Sequence, residues 1–439
     1  MKSKFFIIFL LISVSVFSQA RKIEFTEFDL DNGLHVILHE DHSTPIVAVA
    51  VMYHVGSKNE DPKRTGFAHF FEHLMFEGSK HIERGQFDKI MESSGSANNA
   101  NTSQDRTYYY EIMPSNQLEL GLWIESERML HAKIDEVGVE TQRKVVKEER
   151  SQSYDNRPYG SVIEETFKRA FKSHPYTWLP IGSAQYIDEA TIEEFRDFYK
   201  LFYVPENATL TLAGDINVDE AKELVTKYFQ DIPRGEKAIP RPTIVEPALA
   251  AEVRDTVYDN IQLPLVLQAY RIPALGTEDY YSLDMLTTLL SSGQSSRLQK
   301  ALVDNTQKAV NVGAFPFPLE DPGLFLAYAI SNVGVDANEL EATMQLELDK
   351  VKNELITEKE FQKLQNQIEN SFVSSNSTVA GIASSLCEYH VMYGNTELIN
   401  SEIDKYMKVT KEDIKNVANK YLNADNRVVL HYLAKSTKK

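Results

Sequence analysis

Apolar and polar positions alternate from the start of the region that patterns like a folded chain. Residues 23–28 alternate, Asp31-Asn32-Gly33 has turn chemistry, and residues 34–38 resume the pattern, which predicts two strands around a turn. The apolar run at 46–55 predicts a further strand, ended by Gly56-Ser57. Residues 65–78 switch to a helical period, with Thr65 placed as N-cap and Gly78 as stop. Phe67, Phe70, Phe71, Leu74, Met75 and Phe76 give that helix too much apolar surface to stand in water, so it is read as largely buried. Helical periodicity recurs at 87–93, 115–132, 135–153, 160–171, 191–202 and 217–229, and strand character at 106–112 and 208–213. Between these, residues 95–102 (Gly-Ser-Ala-Asn-Asn-Ala-Asn-Thr) are small and polar, and composition alone reads them as a turn.

Pro233, Pro240, Pro242 and Pro247, with Gly235, interrupt the pattern and predict a linker over 233–250. Beyond it the order of elements starts again: strands over 251–272, a helix at 277–291 stopped by Gly293, further strands and helices, and a final strand at 427–433. A shift of 219 positions superposes Thr191 on Thr410, Phe195 on Ile414, Phe198 on Val417, Phe202 on Tyr421 and Asn207 on Asn426, without a gap. Caps, buried-face positions and turn residues agree together, which predicts an α+β chain of two homologous domains, 21–232 and 251–439. The second-half segment matching the first buried helix, 284–289, contains no histidine. Only one half is then equipped for the chemistry described next.

Composition adds limits. A chain of 439 residues is too long for one ordinary core, and 42% hydrophobic content describes a folded protein. Residues 1–20 differ from the rest: Lys2 and Lys4 precede the apolar stretch 5–17, and small residues follow at Ser18 and Ala20. This is signal-peptide patterning, too short for a membrane span, so the chain is expected to be exported, periplasmic or secreted, with no membrane anchor after cleavage. Cys387 is the only cysteine and rules out an internal disulfide. Loss of Lys2 and Lys4 takes the formal charge from −18 to −20, which disfavours nucleic acid as a partner.

Within the first buried helix, His69, Glu72 and His73 stand at i, i+3 and i+4, so all three share one face. Two imidazoles on one face can grip a metal ion, and a carboxylate beside them can act as a base. A hydrolytic Zn2+ site takes three protein ligands, so a third is expected on another element. Glu149 is chosen, on a predicted helix beside Val145 and Val146, while Glu148 points away from it. His35, His39 and His42 read as ordinary strand-face or loop histidines.

His-x-x-Glu-His, with Glu149 lying 76 positions after His73, resembles the M16 (pitrilysin and insulinase-like) zinc metallopeptidase family. The resemblance runs through Asn99-Ala100-Asn101-Thr102, Asp105 and Thr107, residues 145–149, Arg157-Pro158-Tyr159-Gly160, His174-Pro175-Tyr176, Asn207, Gly214-Asp215 and Ser295-Ser296-Arg297-Leu298. The size is that of the short two-domain subfamily, which includes mitochondrial processing peptidase and bacterial M16B peptidases. The likeness implies two domains, each a mostly antiparallel sheet with helices on one face. It also implies that His69, His73 and Glu149 hold Zn2+ and that Glu72 is the catalytic general base. Asn99 and Ala100 would belong to an edge strand to which peptide substrates add as a further strand.

Two positions depart from the family pattern. Gln142 stands where the family commonly has a glutamate supporting the third ligand. Val303 and Val310 stand where complete members carry an arginine and a tyrosine that bind substrate near the scissile bond. The expectation is therefore a zinc endopeptidase subunit that pairs with a homologous chain supplying Arg and Tyr, a pair of identical copies being the alternative. Two other readings compete: a non-catalytic scaffold or assembly subunit, and a zinc hydrolase acting on something other than peptide.

Overall fold

The computed structural model describes residues 22–435, so the predicted signal peptide lies outside the described residues. The first half contains strands β1 (Thr26–Asp29), β2 (His35–Glu40) and β3 (Ile46–Tyr53), then helices α1 (Phe67–Leu74) and α2 (Phe87–Ser93). Strands β4 (Ala97–Thr102) and β5 (Thr107–Pro114) lead into α3 (Leu118–His131), α4 (Glu136–Arg150), α5 (Val162–Ala170), α6 (Ala184–Glu189) and α7 (Ile192–Phe202). Strand β6 (Ala208–Gly214) and α8 (Val218–Phe229) close it. After a stretch without helix or strand come β7 (Val253–Asp259), β8 (Leu265–Arg271), α9 (Glu278–Ser291), β9 (Ala309–Phe317) and β10 (Leu324–Ser331). Helices α10 (Ala337–Asn353), α11 (Glu358–Ser375), α12 (Val379–Tyr393), α13 (Leu398–Lys408) and α14 (Lys411–Tyr421) precede β11 (Arg427–Ala434).

The strands form two sheets of one design. The first runs β1-β2-β6-β3-β5-β4 and the second β7-β11-β8-β10-β9. In each, one neighbouring pair is parallel, β2 with β6 and β7 with β11, and the other pairs are antiparallel. The 219-residue repeat is visible atom by atom. Thr191 and Thr410 are both N-caps of complete capping boxes, with Glu194 and Asp413. Asn207 donates from Nδ2 to the Phe202 carbonyl at 2.8 Å, and Asn426 to the Tyr421 carbonyl at 2.9 Å.

Strand β3 shows why its sequence is apolar throughout. Alternate side chains face opposite sides of a sheet. Val47, Val49 and Val51 enter the core beneath α1 and α3, while Ala48, Ala50 and Met52 pack with Ile382, Ala383, Leu386 and Cys387 of α12. Helix α12 belongs to the second half of the chain, yet it covers the far face of the first sheet. Its counterpart under the repeat, α5, does the reverse. Phe167 packs with Leu265, Leu267 and Leu430 of the second sheet, and its ring lies 5.2 Å from that of Phe317. Each half therefore lends one helix to the opposite sheet.

A buried ionic network also joins the halves. Lys58, 5% exposed, places Nζ 3.0 Å from Asp105, 2.5 Å from Glu320 and 3.1 Å from Asp321, the last two on the β9–β10 connection. Tyr176 Oη donates to Asp105 at 2.7 Å and accepts from the Asp321 amide at 3.0 Å.

Several local expectations change. Thr65 is not the cap of α1. Gly66 holds that position with φ +102°, a left-handed geometry suited to glycine. The free amides of the first turn are taken instead by a carboxylate from outside the helix, Glu60, which accepts from Gly66 at 2.9 Å and Ala68 at 2.8 Å. The helix ends at Leu74, before Gly78. Residues 97–102 form a strand rather than a turn. Val145 is 43% exposed, so only Val146 of that pair is core. Helix α6 has no counterpart among the predicted helices.

Candidate metal centre

The site is assembled where α1 crosses α4. Phe67 and Phe70 stack on the fully buried Phe195 of α7, with ring centroids 4.5 and 4.6 Å apart, and Phe71 stacks on Phe198 at 5.1 Å. These contacts use one face of α1 and turn the opposite face, carrying His69, Glu72 and His73, toward α4. At the N-terminus of α1, Gly66 and Gly182 lie back to back. A Cβ on Gly182 would fall 2.3 Å from the Gly66 backbone, so this approach needs glycine.

His69 Nε2 and His73 Nε2 are 3.4 Å apart. Glu149 Oε2 lies 3.5 Å from the first and 3.3 Å from the second. Bonds of about 2.0–2.1 Å in a tetrahedron put ligand atoms about 3.3–3.4 Å apart. The three atoms therefore mark one face of a tetrahedron sized for zinc. The donor chemistry agrees. Burial and the neighbouring His73 push the His69 imidazole down to about 4, so it is neutral and free to donate its lone pair. The hydrogen bond with His73 holds the Glu149 carboxyl below its ordinary value, so it is ionised. The histidines are 12% and 24% exposed and Glu149 is 40% exposed, so the site opens to solvent on the α4 side.

Glu72 lies on the same helix face. Burial raises its carboxyl above the ordinary value, against the opposing pull of the Thr102 hydrogen bond. Thr102 Oγ1 donates to Glu72 Oε2 at 2.6 Å. Thr102 ends β4, which pairs on one side with β5 and has no other strand neighbour among the described residues. Asn99 and Ala100 stand in the middle of this free edge, paired with Tyr110 and Tyr109. The Ala100 amide donates to Asn99 Oδ1 at 2.8 Å, so a side chain of the same strand occupies it.

Gln142 supports α4 differently from the sequence expectation. Its Nε2 donates at 2.5 Å to Glu77, in the segment leaving α1. Arg84 bridges Glu77 to Asp135, and Asp135 caps α4 by accepting from Gly138 at 2.8 Å. Gln142 thus ties α4, two turns before Glu149, to the exit of α1. Sequence reading gave no role to Thr102 or Glu60. Thr102 closes the Asn99-Ala100-Asn101-Thr102 segment that carries the family resemblance. Glu60 offers no local signal, because it caps a helix from seven residues upstream while Trp178 Nε1 donates to it at 3.0 Å.

Residues 35–177 match the family model described as Insulinase (Peptidase family M16), and residues 189–368 match Peptidase M16 inactive domain. The chain is 33% identical over 421 residues to zinc protease PqqE of Helicobacter pylori, covering 94% of each protein. It is 23% identical to an uncharacterized zinc protease, YmxG, of Bacillus subtilis, covering 92% of this chain and 97% of that one. The crystal structure of a protease from Helicobacter pylori superposes with a TM-score of 0.90 at 31% identity, covering 94% of this chain and all of that one. The periplasmic protease PqqL of Escherichia coli shares the fold with a TM-score of 0.76 at 19% identity, and the match covers 94% of this chain but 48% of that one. With both halves matched in order and a relative at this identity along nearly its whole length, the chain belongs to the M16 (insulinase) peptidase family.

Proposed function

We propose that this chain is the zinc-bearing subunit of an exported endopeptidase, periplasmic or secreted, that cleaves unfolded peptides together with a homologous chain. The observation that carries the reading is the tetrahedral spacing of His69, His73 and Glu149 with Glu72 on the same helix face. His69, His73 and Glu149 would hold the zinc, which would supply Lewis acidity to acidify a water and polarise a substrate carbonyl. Glu72 removes a proton from the attacking water and delivers it to the leaving amine. Thr102 holds one carboxylate oxygen and so fixes which oxygen faces the substrate. The free edge of β4 offers backbone hydrogen bonds to an extended peptide, which reads main chain rather than side chains and implies broad specificity.

The proposed second chain supplies what this one lacks. Val303 is half-buried against the second core and Val310 is 48% exposed on β9. Neither carries a side-chain donor for a developing oxyanion. The open side at Glu149 gives such a partner a place to close. The Escherichia coli PqqL chain, about twice the matched length, has room for two bodies of this size in one polypeptide.

Glu72→Gln tests the chemistry. The variant is expected to bind zinc at wild-type stoichiometry and to lose peptide cleavage by about 10²–10⁴-fold. Retained zinc with retained cleavage would refute the role of Glu72. Wild-type chain that binds zinc but cleaves no peptide with any homologous partner would support the scaffold reading instead.

A further inference from the structure

A second cluster repeats the donor set of the first. Glu127 and His131 stand one turn apart at the end of α3, and His81 faces them from the segment beyond α1. The Glu127 side chain is 7% exposed, and its Oε2 accepts from Ser79 Oγ at 2.5 Å and from the His81 amide at 3.3 Å. Its Oε1 lies 2.8 Å from His81 Nδ1. The rings of His81 and His131 stand at 87° with centroids 5.6 Å apart, much as those of His69 and His73 stand at 85° and 4.8 Å. One ligand atom from each of the three residues lies within 4.8 Å of the other two.

The backbone holds the two segments in register. Ser79 and Ala132 form an antiparallel bridge, Lys80 donates to the His131 carbonyl at 3.1 Å, and Lys133 donates to the Gly78 carbonyl at 2.9 Å. An ordinary surface His81–Glu127 hydrogen bond accounts for one histidine. It leaves unexplained a second imidazole set edge-on to the first around a carboxylate anchored by its other oxygen. Ligating carboxylates are commonly fixed in this way.

We propose that His81, Glu127 and His131 bind a second divalent transition-metal ion of the zinc class. The site is independent of the peptidase reading. His81 is 50% exposed, so the ion exchanges with solvent and keeps open positions. It ties the exit of α1 to the end of α3, four residues before the Asp135 cap of α4. It therefore stiffens the joint between the two helices that carry the first site.

The test is metal stoichiometry of the purified full chain, stripped with chelator, re-equilibrated with micromolar Zn2+ and measured by mass spectrometry of the metal. Wild type is expected to hold two ions per chain. His81→Ala/His131→Ala is expected to hold one, and so is His69→Ala/His73→Ala. With Co2+ in place of zinc, each double variant should keep one set of visible d–d bands and lose the other. Two ions in the His81→Ala/His131→Ala variant, or a single wild-type ion that this variant retains, overturns the second site. Circular dichroism with a thermal melt reports whether the variants fold, and the milder His81→Gln/His131→Gln pair gives a second reading of the same count. Failure of the first site would show separately, as an unchanged count in His69→Ala/His73→Ala.

Discussion

Glu72 joins two elements that meet only in the folded chain, since the carboxylate on α1 takes its hydrogen bond from Thr102 at the end of β4. That bond orients the proposed base without touching the metal ligands. Thr102→Val keeps shape and removes the donor. Its kcat/KM is expected to fall roughly 5–30-fold, the equivalent of about 1–2 kcal/mol for one hydrogen bond to a charged group. Zinc content should not change, and steady-state kinetics beside metal analysis checks both. Which residues were legible beforehand follows from distance along the chain. His69, Glu72 and His73 declare themselves because helix geometry alone brings them together. Glu149 needed the reasoning that zinc takes a third ligand, and the fold then brings it within 3.5 Å of both imidazoles. Thr102 and Glu60 act across tertiary contacts that no local spacing encodes.

At the scale of elements, α1 is positioned more by its packing on α7 than by its own ends. Phe195 is fully buried and stacks on both Phe67 and Phe70. Phe195→Ala is expected to destabilise the chain by about 3–5 kcal/mol, the cost of an aromatic-sized cavity. Denaturant titration measures the loss, and at a temperature where the variant is still folded it should bind zinc more weakly, because α1 loses the surface that aims its histidines. Helices with their own caps were legible in the sequence, as at Thr191 and Thr410. The start of α1 was not, because its cap is a glycine and a distant carboxylate. Strand β4 was misread by composition for a physical reason. Its residues alternate between exposed and half-buried, and with one paired edge it needs none of the β-branched apolar residues that mark a central strand.

Across the whole molecule, the repeat predicted two similar halves, and the two sheets confirm one topology. The exchange of α5 and α12 was not legible, because periodicity shows that a helix has an apolar face but not which sheet receives it. That exchange and the Lys58 network make the two halves a single packed unit. Glu320 tests the network. Burial would raise its carboxyl, but the hydrogen bond from His54 and the charge of Lys58 hold it at about 2. A carboxyl lowered in the folded state stabilises fully above its unfolded value near 4.5 and loses that contribution as pH falls toward 2. Glu320→Gln is therefore expected to be less stable than wild type at neutral pH, by of order 1–2 kcal/mol. The difference should shrink steadily between pH 4.5 and pH 2, as followed by thermal melts across that range.

Under the proposed function, His69, Glu72, His73 and Glu149 form an incomplete active site, because Val303 and Val310 stand where the resemblance expects an arginine and a tyrosine. The most direct measurement is peptide cleavage by the purified zinc-loaded chain, alone and then mixed with a homologous chain that carries Arg and Tyr but lacks His-x-x-Glu-His. Little or no turnover is expected from the lone chain and strong turnover from the mixture, abolished by Glu72→Gln in this chain. Full turnover by the lone chain, unchanged when the second chain is added, would contradict it.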